Sequence, residues 1–391
     1  MTRRIGFLVS HPIQYYAPIF RELANRCDLT VYFAHRQSKE GQARAGFGVE
    51  FEWDVDLLAG YDSQFLSNVS RRPSTDHFWG CNTPGIRKEI TAGRFDAFVV
   101  PGWSLWSYWQ AVWACRRLRV PVLVRGDSQL LAQRGGFLRS VKELGFHRLL
   151  RCFDGYLYVG HRNREYLTYY GAPASRLFFS PHCVDNDAFR AGAEAARTRP
   201  ASESDRVPGR KRLLFVGKLI GKKNPLDLLR AAARMQNEGM SLEVEFVGSG
   251  ELAASLEQYA RSAGLAVRFH GFVNQSKLPE IYAMADVIAL PSDGTETWGL
   301  VVNEAMACGV PAVVSNTVGC GPDLVDAGRT GAIYPLGDIA AMAEALKAVL
   351  AVEPSTARAA ISERMRVYSP AGAADGIVGA ANGLGVQPLL R

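Results

Sequence analysis

The feature that most limits what this chain can fold into is an alternation written twice. Short runs rich in β-branched and aromatic residues alternate with longer amphipathic ones, the pattern of parallel strands joined by helical crossovers. In the first half, strands are expected at Ile5–Val9, Leu29–Phe33, Phe95–Val100, Val120–Val124, Gly155–Val159 and Leu177–Ser180, with helices such as Tyr15–Cys27, Phe137–Leu150 and Arg162–Tyr170. A small, polar, charged stretch follows, "AGAEAARTRPASESDRVPGRKR". The alternation then resumes at Arg212–Val216, Leu242–Val247, Val267–Gly271, Val287–Leu290, Ala312–Ser315 and Gly331–Tyr334, with helices at Pro225–Glu238 and Glu251–Ala263. A length of 391 residues exceeds one ordinary core and suits two. We therefore expect an α/β protein with one doubly wound domain over 1–190, a linker over 191–210 and a second doubly wound domain over 211–365. The segment 366–391 is expected to cross back to the first domain. Two such domains imply a cleft, and in doubly wound sheets ligands sit outside the carboxyl ends of strands. Residues 35–84 lack periodicity and read as an insertion with its own contacts.

Composition narrows the class. No apolar run approaches the ~20 residues of a membrane span, and "MTRRIGFLVSHP" reads better as a first strand than as a secretory signal. Seven cysteines without a CxxC pair point to a reducing compartment and away from zinc, so cytoplasm is the expected location. The formal charge of +7 is uneven: residues 1–190 hold 25 Lys+Arg against 17 Asp+Glu, or +8, leaving 45 − 25 = 20 against 38 − 17 = 21, or −1, for the rest. An anionic partner for the first half is the natural match, with a merely solubilising surface as the alternative.

Four stretches carry chemistry after expected strands. "GKLIGKKNP", 217–225, sets Gly217 beside Lys218, Lys222 and Lys223 in a loop leading into a helix N-terminus, where anions collect; a solvated loop is the alternative. "VGSGEL", 247–252, repeats the theme weakly with Gly248 and Gly250, and "FHGFV", 269–273, offers Gly271 to the flat face of a ligand or to core packing. The fourth stretch, "SDGTETWGLVVNEAMACGVP", sets Glu296 and Glu304 eight positions apart among apolar residues. Such carboxylates are costly to desolvate unless paired. Vicinal hydroxyls of a sugar or ribose would satisfy them; structural salt bridges are the alternative, although this segment holds no Lys or Arg.

Glu-x7-Glu within "ETWGLVVNEAMACGVP" resembles the signature of retaining glycosyltransferases of the family 4 type. "VGKLIGKKNP", "YGAPASRLFFSPHCVDNDAF" and "GFVNQSKLPEIYAMADVIALPS" resemble further motifs of that family, in order. The resemblance covers most of 150–350 and thins over 1–140. It implies the GT-B fold, two Rossmann-like doubly wound domains facing a central cleft, the first binding acceptor and the second a nucleotide sugar. The implied reaction is transfer of a sugar from a nucleotide-diphosphate sugar (UDP- or GDP-linked) to an unidentified acceptor hydroxyl, with retention, and with neither cofactor nor metal.

By the same resemblance, Glu304 would bind ribose hydroxyls and Glu296 those of the donor sugar, as a catalytic residue. Lys218 and Lys223 would hold the diphosphate beside Gly217 and Gly250. Backbone at Thr297, Trp298 and Gly299 would touch sugar and phosphate, and Gly271, Phe272 and Val273 the base. Lys218 stands where Arg is common, losing a bidentate fork; Trp298 replaces the usual Phe and is expected to narrow the sugar pocket.

In the first domain "SHPIQYY" replaces the family's usual Gly-Gly turn, placing Ser10 and His11 over the reacting groups. His11 is a candidate for proton transfer, a packing role being the alternative. "VRGDSQ" offers Arg125 and Asp127 to the acceptor, Asp127 also as a base, and His161 is expected to face the cleft. "DVD" at 54–56 and "DND" at 185–187 look like metal-binding DxD motifs, but the first falls in the insertion and the second in a hinge motif. "GWSLWSYWQAVW", 102–113, and the basic stretch 135–151 leave peripheral contact with the inner membrane face open beside ordinary helix packing. Other readings are a nucleotide-sugar epimerase or hydrolase of the same fold, a non-catalytic nucleotide-sugar-binding subunit, and, from the basic first half alone, nucleic acid as acceptor.

Overall fold

A computed structural model describes residues 2–37, 52–132, 145–199, 207 and 209–384. The chain divides into two compact units. The first unit comprises residues 2–37, Asp56–His182 and the C-terminal residues from Ser369; the second comprises Cys183–Tyr368, joined by residues 52–55.

Among the described residues the first unit holds seven strands: β1 (Arg4–Val9), β2 (Asp28–Phe33), β3 (Asp62–Phe65), β4 (Ala97–Val100), β5 (Val122–Gly126), β6 (Gly155–Tyr158) and β7 (Leu177–Phe179), in the order β3-β2-β1-β4-β5-β6-β7. Every pairing is parallel. Central strands are buried on both faces, which is why they read as unbroken apolar runs. The edge strand β3, with sequence DSQF, is mostly exposed and lies inside the stretch read as an insertion. That stretch does carry its own contacts: Asn68 Oδ1 accepts from the backbone of Ser70 (3.0 Å) and Asn82 (2.9 Å), and its amide donates to the Gly80 carbonyl (2.9 Å).

The aromatic run forms the helix Trp106–Leu118, whose Tyr108, Ala111, Val112 and Cys115 are buried. Trp113 and Trp79 are exposed, with the Trp106 ring in contact with both. The basic stretch 135–151, with the helix expected at Phe137–Leu150, lies largely outside the described residues. Among the described residues no helix is long and apolar enough to cross a membrane.

The helix Pro370–Leu384 belongs to the first unit. Its backbone approaches β7 so closely that a Cβ on Gly376 would lie 1.8 Å from the Phe179 carbonyl oxygen. Ser180 Oγ donates to the Ala373 carbonyl (3.0 Å), and Arg26 bonds both the Ala371 carbonyl (2.7 Å) and Asp375 (2.8 Å).

In the second unit β8 (Lys211–Val216), β9 (Leu242–Val247), β10 (Val267–Gly271), β11 (Val287–Leu290), β12 (Ala312–Ser315) and β13 (Gly331–Tyr334) form an all-parallel sheet ordered β10-β9-β8-β11-β12-β13. This is the doubly wound order, with its reversal between β8 and β11. Leu213, Phe215, Val244 and Phe246 anchor the core on one face.

The expected linker needs correction at its start: residues to Arg197 continue the helix Asn186–Arg197. Alanine-rich sequence favours helix, and Asp185 caps it by accepting from the Ala188 amide at 3.1 Å. The second unit accordingly begins at Cys183 rather than after 190.

Candidate functional site

The loops after β8 and β11 meet where the strand order reverses. Lys223, from the first, forms an ion pair with Glu296, from the second, and both side chains are largely buried. Two backbone ties run beside it. The Asp293 amide donates to the Lys222 carbonyl (2.9 Å), and the Asn224 side chain donates to the Pro291 carbonyl (3.1 Å). Asn224 turns the loop into the helix Pro225–Asn237 with φ +45°, a left-handed conformation that Asn tolerates better than most residues. The sequence offered no partner for Glu296 within its own segment; the partner arrives from 73 positions away.

Lys218 is partly buried. Burial first, and then the neighbouring charges of Lys222 and Lys223, lower its pKa. A cationic cluster held under mutual repulsion favours an anion. Glu304 sits on the helix Leu300–Ala307, which opens at Gly299 with φ +99°. Burial raises its pKa to about 7, against the opposing pull of a hydrogen bond from Tyr282 Oη to Glu304 Oε2, 2.7 Å.

The glycines of "VGSGEL" make room for the β8 loop. A Cβ on Gly248 would lie 2.0 Å from the Gly217 carbonyl oxygen, and one on Gly250 would lie 2.3 Å from that of Leu219. The loop is bonded there through Leu219 N to Ser249 O (2.9 Å) and Leu252 N to Leu219 O (3.0 Å). Gly250 therefore positions the lysine loop by letting it approach. Gly271 differs: its φ is +67° and nothing lies within 4 Å of an added Cβ, leaving its face open, with Phe272 and Val273 partly exposed beyond it.

Trp298 requires a correction. Its indole is 4% exposed and donates to Asn303 Oδ1 (2.8 Å), with its ring near that of Tyr368. It fills the interior rather than narrowing a sugar pocket, because the apolar ring and its N–H both find partners there. The backbone of Glu296–Gly299 is held instead by a neighbour that sequence reasoning passed over. Gly319 N donates to Glu296 O (3.1 Å) and Cys320 N to Trp298 O (2.9 Å), and a Cβ on Gly319 would sit 1.8 Å from Thr297 O.

At the carboxyl edge of the first sheet, Ser10 Oγ and His11 Nδ1 are 3.0 Å apart after β1. Burial, then the nearby His35, lowers the His11 pKa to about 4, with Asp76 opposing. Arg125, expected to meet an acceptor, is instead 1% exposed and donates to Ser180 Oγ (3.2 Å), Ser180 O (3.3 Å) and Pro181 O (2.8 Å). A buried guanidinium needs such partners, and this one braces the turn after β7. Asp127 remains half-exposed and faces His182 Nε2 at 3.9 Å. His182 was not singled out in the sequence; burial and then Arg125 hold its pKa well below the usual range. His161 opens the helix His161–Tyr169 and is exposed.

The carboxylates of the two DxD-like motifs are committed locally. Asp54 accepts from the Ser276 amide (3.1 Å), Asp56 from the Leu58 amide (2.9 Å), and Asp187 pairs with Arg190 (2.5 Å). Among the described residues no group of three or more His, Cys, Asp or Glu is placed to hold a metal ion.

Comparison with known proteins places this arrangement. Residues 198–366, most of the second unit, match the family Glycosyl transferases group 1. A D-inositol 3-phosphate glycosyltransferase of Geodermatophilus obscurus is 40% identical over 200 residues, covering 48% of this chain and 43% of the relative. Its counterpart from Corynebacterium jeikeium is 33% identical over 280 residues, covering 68% and 65%. The chain spans about half the length of the first curated relatives that it matches. The structure of Anabaena HepE in complex with UDP and glucose superposes with a TM-score of 0.65 at 16% identity, over 97% of this chain and 99% of that one. The fold is that of the GT-B glycosyltransferases, with two Rossmann-like parallel-sheet units.

Proposed function

We propose that this protein is a retaining glycosyltransferase that moves a sugar from a UDP- or GDP-linked donor to an acceptor hydroxyl without a metal ion. The observation that carries the reading is the Lys223–Glu296 pair, which joins the loops after β8 and β11 at the strand-order reversal, within a matched glycosyl transferase domain. The complex of HepE with UDP and glucose supports a uridine-type donor.

In this reading Lys218 and Lys223 take the diphosphate and stabilise the charge that develops on the leaving group, the role a metal has elsewhere. Glu304 accepts from ribose hydroxyls and Glu296 from the sugar, while the open face of Gly271 admits the base. Glu296 is held by an ammonium group, which suits it to positioning and charge balance better than to attack on carbon. The route is then front-face attack, with diphosphate oxygens assisting the acceptor proton. His11, neutral at pH 7, and Asp127 are the acceptor-side groups able to take that proton.

The test is thermal stabilisation by UDP-, GDP-, ADP- and dTDP-sugars, with and without EDTA. A ligand at 100 times its dissociation constant adds about 2.7 kcal/mol. One nucleotide class should stabilise wild type, in EDTA as well, and should fail with Glu304→Ala. A folded protein that responds to none of them refutes the reading.

A further inference from the structure

The second unit has a cavity of about 720 Å³ at the opposite edge of its sheet from the lysine loop, near the amino ends of β8, β11 and β12. Among the described residues its lining carries six Lys or Arg side chains against three carboxylates. Three of the cations are consumed: Arg212 by Glu243 (3.3 Å) and Glu245 (3.0 Å), Arg268 by Glu243 (3.7 Å), and Arg199 by Glu280. The other three, Arg197, Lys211 and Arg358, form no ion pair with any described residue.

Arg197 and Arg358 both border Gly309. A Cβ on Gly309 would lie 3.1 Å from Arg358 Cγ and 4.0 Å from Arg197 Nη1. Arg197 is partly buried and anchored by donation to the Cys308 carbonyl (2.6 Å). Burial and then repulsion from Arg358 both work against its charge. Two arginines on the lining of one cavity can supply N–H donors that match phosphate oxygens. The other wall of the cavity is apolar, through Ile281, Met284, Val349 and Leu350. The volume falls within the range of small-molecule sites and far exceeds what a bare phosphate fills.

We propose that this cavity binds a phosphorylated small molecule of about sugar-phosphate size, its phosphate held by Arg197 and Arg358 with Lys211 adding charge and its body lying against the apolar wall. The site is separate from the donor site and does not rest on its assignment.

The test is calorimetric titration of glucose 6-phosphate and of inorganic phosphate into the full chain carrying Lys223→Ala, which removes the lysine loop as a competing phosphate site. Saturable binding is expected, at least tenfold tighter for glucose 6-phosphate than for inorganic phosphate. Adding Arg358→Gln, at an exposed position that tolerates replacement, should weaken it at least tenfold, and Lys211→Gln should weaken it less. Absence of saturable heat overturns the proposal, as does binding unchanged by Arg358→Gln. Equal affinity for the two compounds would overturn the sugar-phosphate assignment.

Discussion

Tyr282 Oη donates to Glu304 Oε2 across 2.7 Å, joining the helix Leu278–Met284 to the helix Leu300–Ala307. The bond favours the carboxylate, yet burial outweighs it and the pKa stands at about 7. The folded protein therefore keeps this proton at pH values where the unfolded chain has lost it. Stability should fall as pH rises from about 4.5 to about 7 and level off above. Glu304→Gln should abolish that contribution and gain up to about 3 kcal/mol on wild type at pH 8 relative to pH 4.5. Urea denaturation at the two pH values checks it; parallel pH profiles would contradict it.

The Lys223–Glu296 pair should behave as one unit. Lys223→Gln and Glu296→Gln are each expected to reduce stabilisation by the active nucleotide sugar. The double variant should lose less than the sum, with a coupling of about 1–3 kcal/mol. A double-mutant cycle on melting temperatures measures it, and strict additivity would mean that the pair is incidental.

Trp298→Phe should destabilise the protein by about 1–2 kcal/mol, because Asn303 loses its indole donor in a buried setting. Donor affinity should stay within twofold, since the ring points inward. A large change in affinity with unchanged stability would return Trp298 to the pocket.

The glycines separate by mechanism. Gly250→Ala should cost roughly 2–3 kcal/mol and impair nucleotide binding by pushing the Leu219 carbonyl away. Gly271→Ala meets open space and carries only the left-handed backbone cost of about 1–2 kcal/mol, while obstructing the face assigned to the base. Comparing melting temperature with nucleotide affinity for the two variants distinguishes displacement from obstruction.

Much of this was legible in the chain. The strands Leu242–Val247, Val287–Leu290 and Ala312–Ser315 could be read to the residue because strands buried on both faces are short apolar runs between glycines and polar turns. The edge strand Asp62–Phe65 was not legible, since DSQF has neither apolar alternation nor β-branched residues. The beginning of the linker reads as loop because alanine and charge serve both, and Asp185 as a helix cap decides the matter only once the backbone is known. In the site, spacing singled out Glu296, Glu304 and the lysines. Their pairing was hidden, because Lys223 reaches Glu296 and Tyr282 reaches Glu304 through the fold. Arg125 shows the opposite limit: an arginine after a strand reads as a ligand contact until its burial against Ser180 and Pro181 is seen.

The placement of the helix Pro370–Leu384 bears on biosynthesis. The first unit takes material from both ends of the chain, and the whole of Cys183–Tyr368 lies between them. A ribosome therefore completes the second unit before the first can acquire its last helix. Until then the surface of β7 that receives Gly376 and Ala373 stays uncovered. The nascent amino-terminal half would be an incomplete intermediate until the helix Pro370–Leu384 has emerged.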